Sequence, residues 1–179
     1  MIFDFTQKKM DLIKYNKDSW LTSPHFSITL KKNILKKRMK LVESWIHGQE
    51  MCGVSFCDFF VMKDICQKFF PEKIITDVLS FNSSPTFTDN SIETDRDHKY
   101  LGDIIICLPY CLWFLRNKKT SLSSHLERLI IHGMIHLKGF DHERSSSAYK
   151  IMHHLETQIF KELNHIYGEE NWITCKTHS

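Results

Sequence analysis

No two of the chain's six cysteines stand in a Cys-x-x-Cys pair, and the lack of that spacing argues against a zinc ribbon. No apolar run approaches the roughly 20 residues of a membrane-spanning helix. The opening residues Met1–Met10 carry Asp4, Lys8 and Lys9, where a secretory signal or membrane anchor would carry an apolar core. Internal repeats and low-complexity segments are also missing, and the length fits one domain with short tails. Free thiols at Cys52, Cys57, Cys66, Cys107, Cys111 and Cys175 suit a reducing compartment, so the expected location is the cytoplasm.

The composition supplies a core. Hydrophobic residues make up 42% of the chain, with 13 Phe and 4 Trp, and this argues against disorder of the whole. A net charge of +3 permits an anionic partner without demanding one.

Period and punctuation divide the chain into an extension (1–24), a domain that carries the chemistry (25–168) and a tail (169–179). Phe26 to Leu30 alternates apolar and polar residues, as a half-buried strand does. Asn33 can cap a helix whose apolar face is Ile34, Leu35, Met39, Val42 and Ile46, ending at Gly48. Its other face, Lys36, Lys37, Arg38 and Lys40, is read either as a solvated surface or as a docking face for phosphates. A second strand spans Cys52 to Cys57. Asp58 then caps a short helix through Val61, Ile65 and Phe69, stopped by Pro71. Thr76 to Phe81 forms a third strand, followed by a polar loop to Lys99. Leu101 to Cys107 is almost continuously apolar, which predicts a central strand. Leu108 to Leu115 reads as a short buried helix. The last helix starts at Ser145 or Ser146, turns Ala148, Met152, Leu155, Ile159, Leu163 and Ile166 inward, and ends at Gly168. The predicted fold is α+β, a mixed sheet of about four strands packed with about five helices.

The chemistry concentrates in His132-Gly133-Met134-Ile135-His136-Leu137-Lys138-Gly139-Phe140-Asp141-His142. Ser124-His125-Leu126-Glu127 reads as a capping box that opens a helix. On that helix His132 and His136, four apart, point the same way. Gly139 can end it in the left-handed conformation, and the following turn can return His142 to the pair. Three neutral imidazoles suit one divalent ion such as zinc and leave a position open for water, the mark of a catalytic site. Chance histidines are cheap in a chain with 11 of them, and His153 with His154 reads as such a pair.

The spacing HxxxHxxGxxH matches the metal-binding skeleton of metzincin peptidases. Their general base is a Glu directly after the first His. Here that position is Gly133, which moves no proton, so peptide hydrolysis by that route is disfavoured. The glycine can instead allow a substrate or a neighbouring backbone to approach closely.

The run from His132 to Glu143 closely resembles the HGxLHLxGYDH signature of the YbeY family of rRNA maturation factors. Thr76-Asp77-Val78-Leu79-Ser80-Phe81 is similar to that family's TDVLSF strand, and Leu101-Gly102-Asp103-Ile104 to its LGDI strand. The resemblance covers about residues 25 to 166, in matching order and separation. It implies a cytoplasmic, zinc-dependent, single-strand-specific endoribonuclease acting on the 3′ end of small-subunit rRNA and in ribosome maturation. It also implies one zinc ion on His132, His136 and His142, an RNA substrate, and small-subunit components as partners. Where the family usually has Tyr-Arg six or seven residues before the Thr of TDVLSF, the chain has Phe69 and Phe70. Lys68, Lys73 or Arg144 are the candidates to replace that Arg, and Asn82 stands where a Pro is usual.

Asp77, Ser80, Asp103 and Glu143 are candidates to line a cleft, against plain turn, cap or strand hydrogen bonds for the first three. Asp141 can orient a ligand histidine. No general base is assigned. Two other readings stay open: a metallopeptidase-like hydrolase, and a non-catalytic, zinc-stabilised assembly factor. The latter needs a fourth protein ligand, such as Cys107, Cys111 or His153.

Overall fold

A computed structural model describes residues 26–45, 51–72, 74–83, 100–140 and 145–177. The expectations for the extension before Phe26, for Ile46 and Gly48, and for the loop between Ser83 and Tyr100 fall outside them. Strands β1 (Phe26–Leu30), β2 (Met51–Cys57), β3 (Val78–Asn82), β4 (Tyr100–Cys107) and β5 (Ile173–Thr177) are accompanied by five helices. These are α1 (Lys32–Trp45), α2 (Phe59–Phe69), α3 (Leu108–Leu115), α4 (Leu122–Leu137) and α5 (Ser146–Tyr167). The α+β class is as the sequence predicts.

The strands divide into two sheets. One has the order β2-β4-β3, with β2 parallel and β3 antiparallel to β4. The apolar run of β4 is therefore central, as expected. The other sheet pairs β1 with β5 antiparallel, Phe26 opposite Thr177 and Leu30 opposite Ile173. Thus β1 does not join the larger sheet, and a strand forms in the segment read as a tail. In Ile-Thr-Cys-Lys-Thr only Ile173 and Cys175 are apolar, a weak alternation that becomes a strand beside the partner β1 supplies.

Both faces of the larger sheet are covered. Ile104 and Ile106 of β4 join the main core with Ile130, Ile131 and Ile135 of α4, Leu35 and Met39 of α1, and Met152 and Ile159 of α5. Leu79 and Cys107 join Met62 and Cys66 of α2 in a smaller core with Cys57. Successive strand residues point to opposite faces, so α4 lies on one side and α2 on the other. On α2 the inward residues are Met62 and Cys66, and Val61 and Phe69 are exposed. Asp58 caps α2 as predicted, accepting from the Val61 amide at 2.8 Å. Ser145 caps α5 through the Ala148 amide, and Gly168 ends it at φ +66°.

Two local readings are corrected by the tertiary structure. The cap of α4 is Ser121, whose hydroxyl accepts from the Ser124 amide at 3.1 Å, so Ser124 lies inside the first turn. Glu127 is no partner in a capping box. It is 1% exposed and faces Arg38, also 1% exposed, the residue that the sequence places among surface lysines. Arg38 donates through Nε to Glu127 Oε1 and through Nη2 to Oε2 at 3.0 Å. The remaining donors reach the Gly168 carbonyl at 2.9 Å and Asn164 Oδ1 at 3.2 Å. Trp172 Nε1 gives Glu127 Oε1 a further bond at 2.8 Å. Burial pushes the Glu127 carboxyl up from its ordinary range, and Arg38 and Trp172 pull it back. Lys36, Lys37 and Lys40 are exposed, as a solvated face requires.

Truncating Arg38 leaves a buried carboxylate without its counter-charge. Arg38→Ala is expected to cost about 3–5 kcal/mol, measured as the loss of unfolding free energy in urea; a loss below about 1 kcal/mol would contradict this account.

Candidate metal centre

Helix α4 is the hub of the fold, touching α3, α5, β3, β4 and β5. Its C-terminal half presents His132 and His136 on one side. The helix closes in a Schellman arrangement: the Gly139 amide donates to the His136 carbonyl at 2.8 Å and the Phe140 amide to the Ile135 carbonyl at 3.3 Å. Gly139 has φ +88°, the left-handed conformation that this turn demands.

The two rings meet at a centroid separation of 4.6 Å, nearly edge to face at 77°. Their Nε2 atoms are 3.1 Å apart. Behind His132, its Nδ1 lies 2.6 Å from Glu156 Oε1, on α5. A carboxylate only accepts, so Nδ1 of His132 carries the proton and, in the neutral ring, the Nε2 lone pair points toward His136. Both members of the His132–Glu156 pair are about one-quarter exposed, at 29% and 25%. Two nitrogens bound to one tetrahedral ion at 2.0–2.1 Å stand about 3.3 Å apart. The observed pair therefore fits two corners of such a site, and a carboxylate behind a ligand imidazole is the usual device for orienting it.

His142 lies outside the described residues, as do Asp141, Glu143, Arg144 and Lys73. Among the described residues no group of three or more His, Cys, Asp or Glu is placed to hold an ion. Cys107 and Cys111 are fully buried. Cys107 is engaged by Cys57 in a hydrogen bond that lowers its pKa. Burial pushes the Cys111 thiol up, away from the thiolate that a metal requires. His153 is exposed and stacks on Tyr149 at 5.9 Å.

Two of the cleft candidates, Asp77 and Asp103, take local partners. Thr76 Oγ1 donates to Asp77 Oδ1 at 3.3 Å, and the Tyr100 hydroxyl donates to Asp103. Ser80 lies beneath Gly133: a Cβ there would come within 2.9 Å of Ser80 Oγ and of Ile104 Cγ2. The close approach that Gly133 permits is thus that of the sheet's side chains. Phe69 and Phe70 pack on Phe81 at 5.5 and 6.0 Å, so the positions where the resemblance leads one to expect Tyr-Arg hold an aromatic contact. Lys68 lies over the Phe69 ring at 5.2 Å.

Glu156 is the site residue that the sequence reading missed. It is 24 residues from His132 on another helix, and no local spacing connects them.

Comparison with known proteins identifies the family. The family model described as Endoribonuclease YbeY matches residues 16–164. A protein named Endoribonuclease YbeY from Acinetobacter baumannii is 30% identical over 139 residues, 76% of this chain and 86% of that protein. One of the same name from Persephonella marina is 29% identical over 144 residues, 79% of this chain and 88% of that protein. A solution structure from Thermotoga maritima aligns with a TM-score of 0.48 at 18% identity, covering 78% of this chain and 90% of that one. An α+β protein with paired helix imidazoles is the class defined by fold and site. The chain belongs to the endoribonuclease YbeY family.

Two outcomes test this geometry. Glu156→Ala is expected to weaken metal affinity by about 10- to 100-fold, read by competition with a chromogenic chelator; unchanged affinity would remove Glu156 from the site. Gly133→Ala is expected to lose about 1–2 kcal/mol, because overpacking against Ile104 and Ser80 exceeds the gain in helix propensity. A thermal melt that rises would refute the close packing.

Proposed function

We propose that this protein is a zinc-dependent endoribonuclease that cuts single-stranded RNA, working in the cytoplasm on the 3′ end of small-subunit rRNA and with small-subunit components. The observation that carries the reading is the convergence of His132 and His136 Nε2 on one point, with Glu156 fixing the first ring. Family membership and relatives named as endoribonucleases support the RNA substrate.

His132 and His136, joined by His142, would hold the ion. When bound, it supplies Lewis acidity toward a phosphodiester oxygen and acidifies a water near neutral pH. Glu156 keeps the His132 proton on Nδ1 and so keeps Nε2 available as a ligand. The close seat of Gly133 on β3 and β4 sets the pair beside the sheet. Gly133 also leaves the metzincin position without a group to move a proton, so the peptidase route lacks its base.

The test compares wild type and His136→Ala on single-stranded RNA and on unfolded protein, with bound metal measured by mass spectrometry on both. The expected result is RNA cleavage alone, falling by about a hundredfold or more in the variant together with its metal. Cleavage that survives loss of the metal, or cleavage of protein only, overturns the reading.

A further inference from the structure

At the carboxyl ends of the parallel strands β2 and β4 the chain leaves an aromatic and basic surface that the metal centre does not use. Phe59 opens α2 immediately after β2, and its ring lies 6.3 Å from Tyr110 of α3. Tyr110 in turn meets Trp113 edge-on at 5.7 Å. Trp113 is 51% exposed. Cations lie against these rings. The Arg116 guanidinium sits 5.3 Å from the Trp113 ring centre, and the Lys118 ammonium 3.7 Å from that of Phe114. Lys119 follows, also exposed. No Asp or Glu occurs from residue 104 to residue 126, so this segment offers the three cations no counter-charge of its own.

One neighbour of Trp113 touches the helix of the metal centre, while Phe59 belongs to α2 on the other face of the sheet. Phe114 stacks on His125 at 5.1 Å. His125, His132 and His136 occupy positions i, i+7 and i+11 of α4 and so share one stripe to within about 20°. The distance along the helix axis from His125 to the pair is about 10 to 17 Å, a span of a few nucleotides.

We propose that Phe59, Tyr110 and Trp113, with Arg116, Lys118 and Lys119, form a binding platform for single-stranded RNA that feeds the strand along α4 toward the histidine pair. Exposed rings beside cations are what unpaired RNA needs: bases stack on the rings and phosphates meet the positive charge. A duplex keeps its bases stacked inside and gains only the charge. The inference rests on RNA being the substrate and adds where the uncut strand is held.

The test uses the full chain with His136→Ala as the parent, so that RNA stays intact. A fluorescein-labelled oligouridylate and a duplex of equal length are the probes. Adding Trp113→Ala is expected to weaken oligouridylate binding by about fivefold or more and to spare the duplex. Trp113→Phe, which keeps a ring, is expected to retain most of the affinity. Replacing Arg116, Lys118 and Lys119 together by Ala should reduce the slope of log affinity against log salt by about two. Equal melting temperatures establish that each variant is folded. If the parent binds the oligouridylate and these variants bind it equally well, the platform is refuted while the RNA reading stands. A Trp113→Phe loss as large as that of Ala refutes stacking. Unchanged RNA binding with lost binding to small-subunit proteins assigns the surface to a protein partner and overturns the proposal. A parent that binds no single-stranded RNA defeats the functional reading itself.

Discussion

The buried pair of Arg38 and Glu127 is the constraint on which the rest of the molecule is arranged. Two charges withdrawn from water are expensive, and their attraction offsets that cost only when the geometry is good and the other donors and acceptors are satisfied. Here they are. The guanidinium grips Glu127 with Nε and Nη2, reaches the end of α5 through Nη1 and a second bond from Nη2, and the indole of Trp172 completes the carboxylate. One arginine on α1 therefore fixes α4, α5 and the approach to β5 together. Glu127 precedes His132 by five residues and His136 by nine on the same rigid helix, so whatever sets the rotation of α4 at Glu127 also aims the imidazoles.

The elements that could be read from the sequence are those whose signals are local. The apolar run of β4 marked a central strand, Asp58 and Ser145 each capped the helix that followed, and α3 spans Leu108 to Leu115 as expected. His132 and His136 belong to the same class, because four residues of helix are enough to align them. The misreadings share another cause. Arg38 stands among lysines and Glu127 stands three residues after a serine, so local rules place one on the surface and the other in a cap. Only the 89 residues of chain that separate them, folded back, reveal that they meet. Likewise Glu156 gains a role only when α5 lies against α4, and β5 becomes a strand only beside β1.

Gly133 joins packing to chemistry. The helix lies so close to the sheet that a methyl group at this position would collide with Ile104 and Ser80. A residue large enough to carry a proton would need a different seat for the whole helix. The choice between hydrolytic routes is thus built into the spacing of secondary-structure layers as much as into the ligands themselves.

The pairing of β1 with β5 has a consequence for biosynthesis. Trp172 and Ile173 leave the ribosome after every other member of the buried network, yet Trp172 caps Glu127 and its carbonyl receives the Lys31 amide. Until they emerge, the nascent chain holds an arginine and a glutamate whose enclosure is unfinished and a first strand with no neighbour. Final locking of the imidazole-bearing helix is deferred until these residues emerge, so a chain halted before them would carry His132 and His136 and still lack the clasp that orients them.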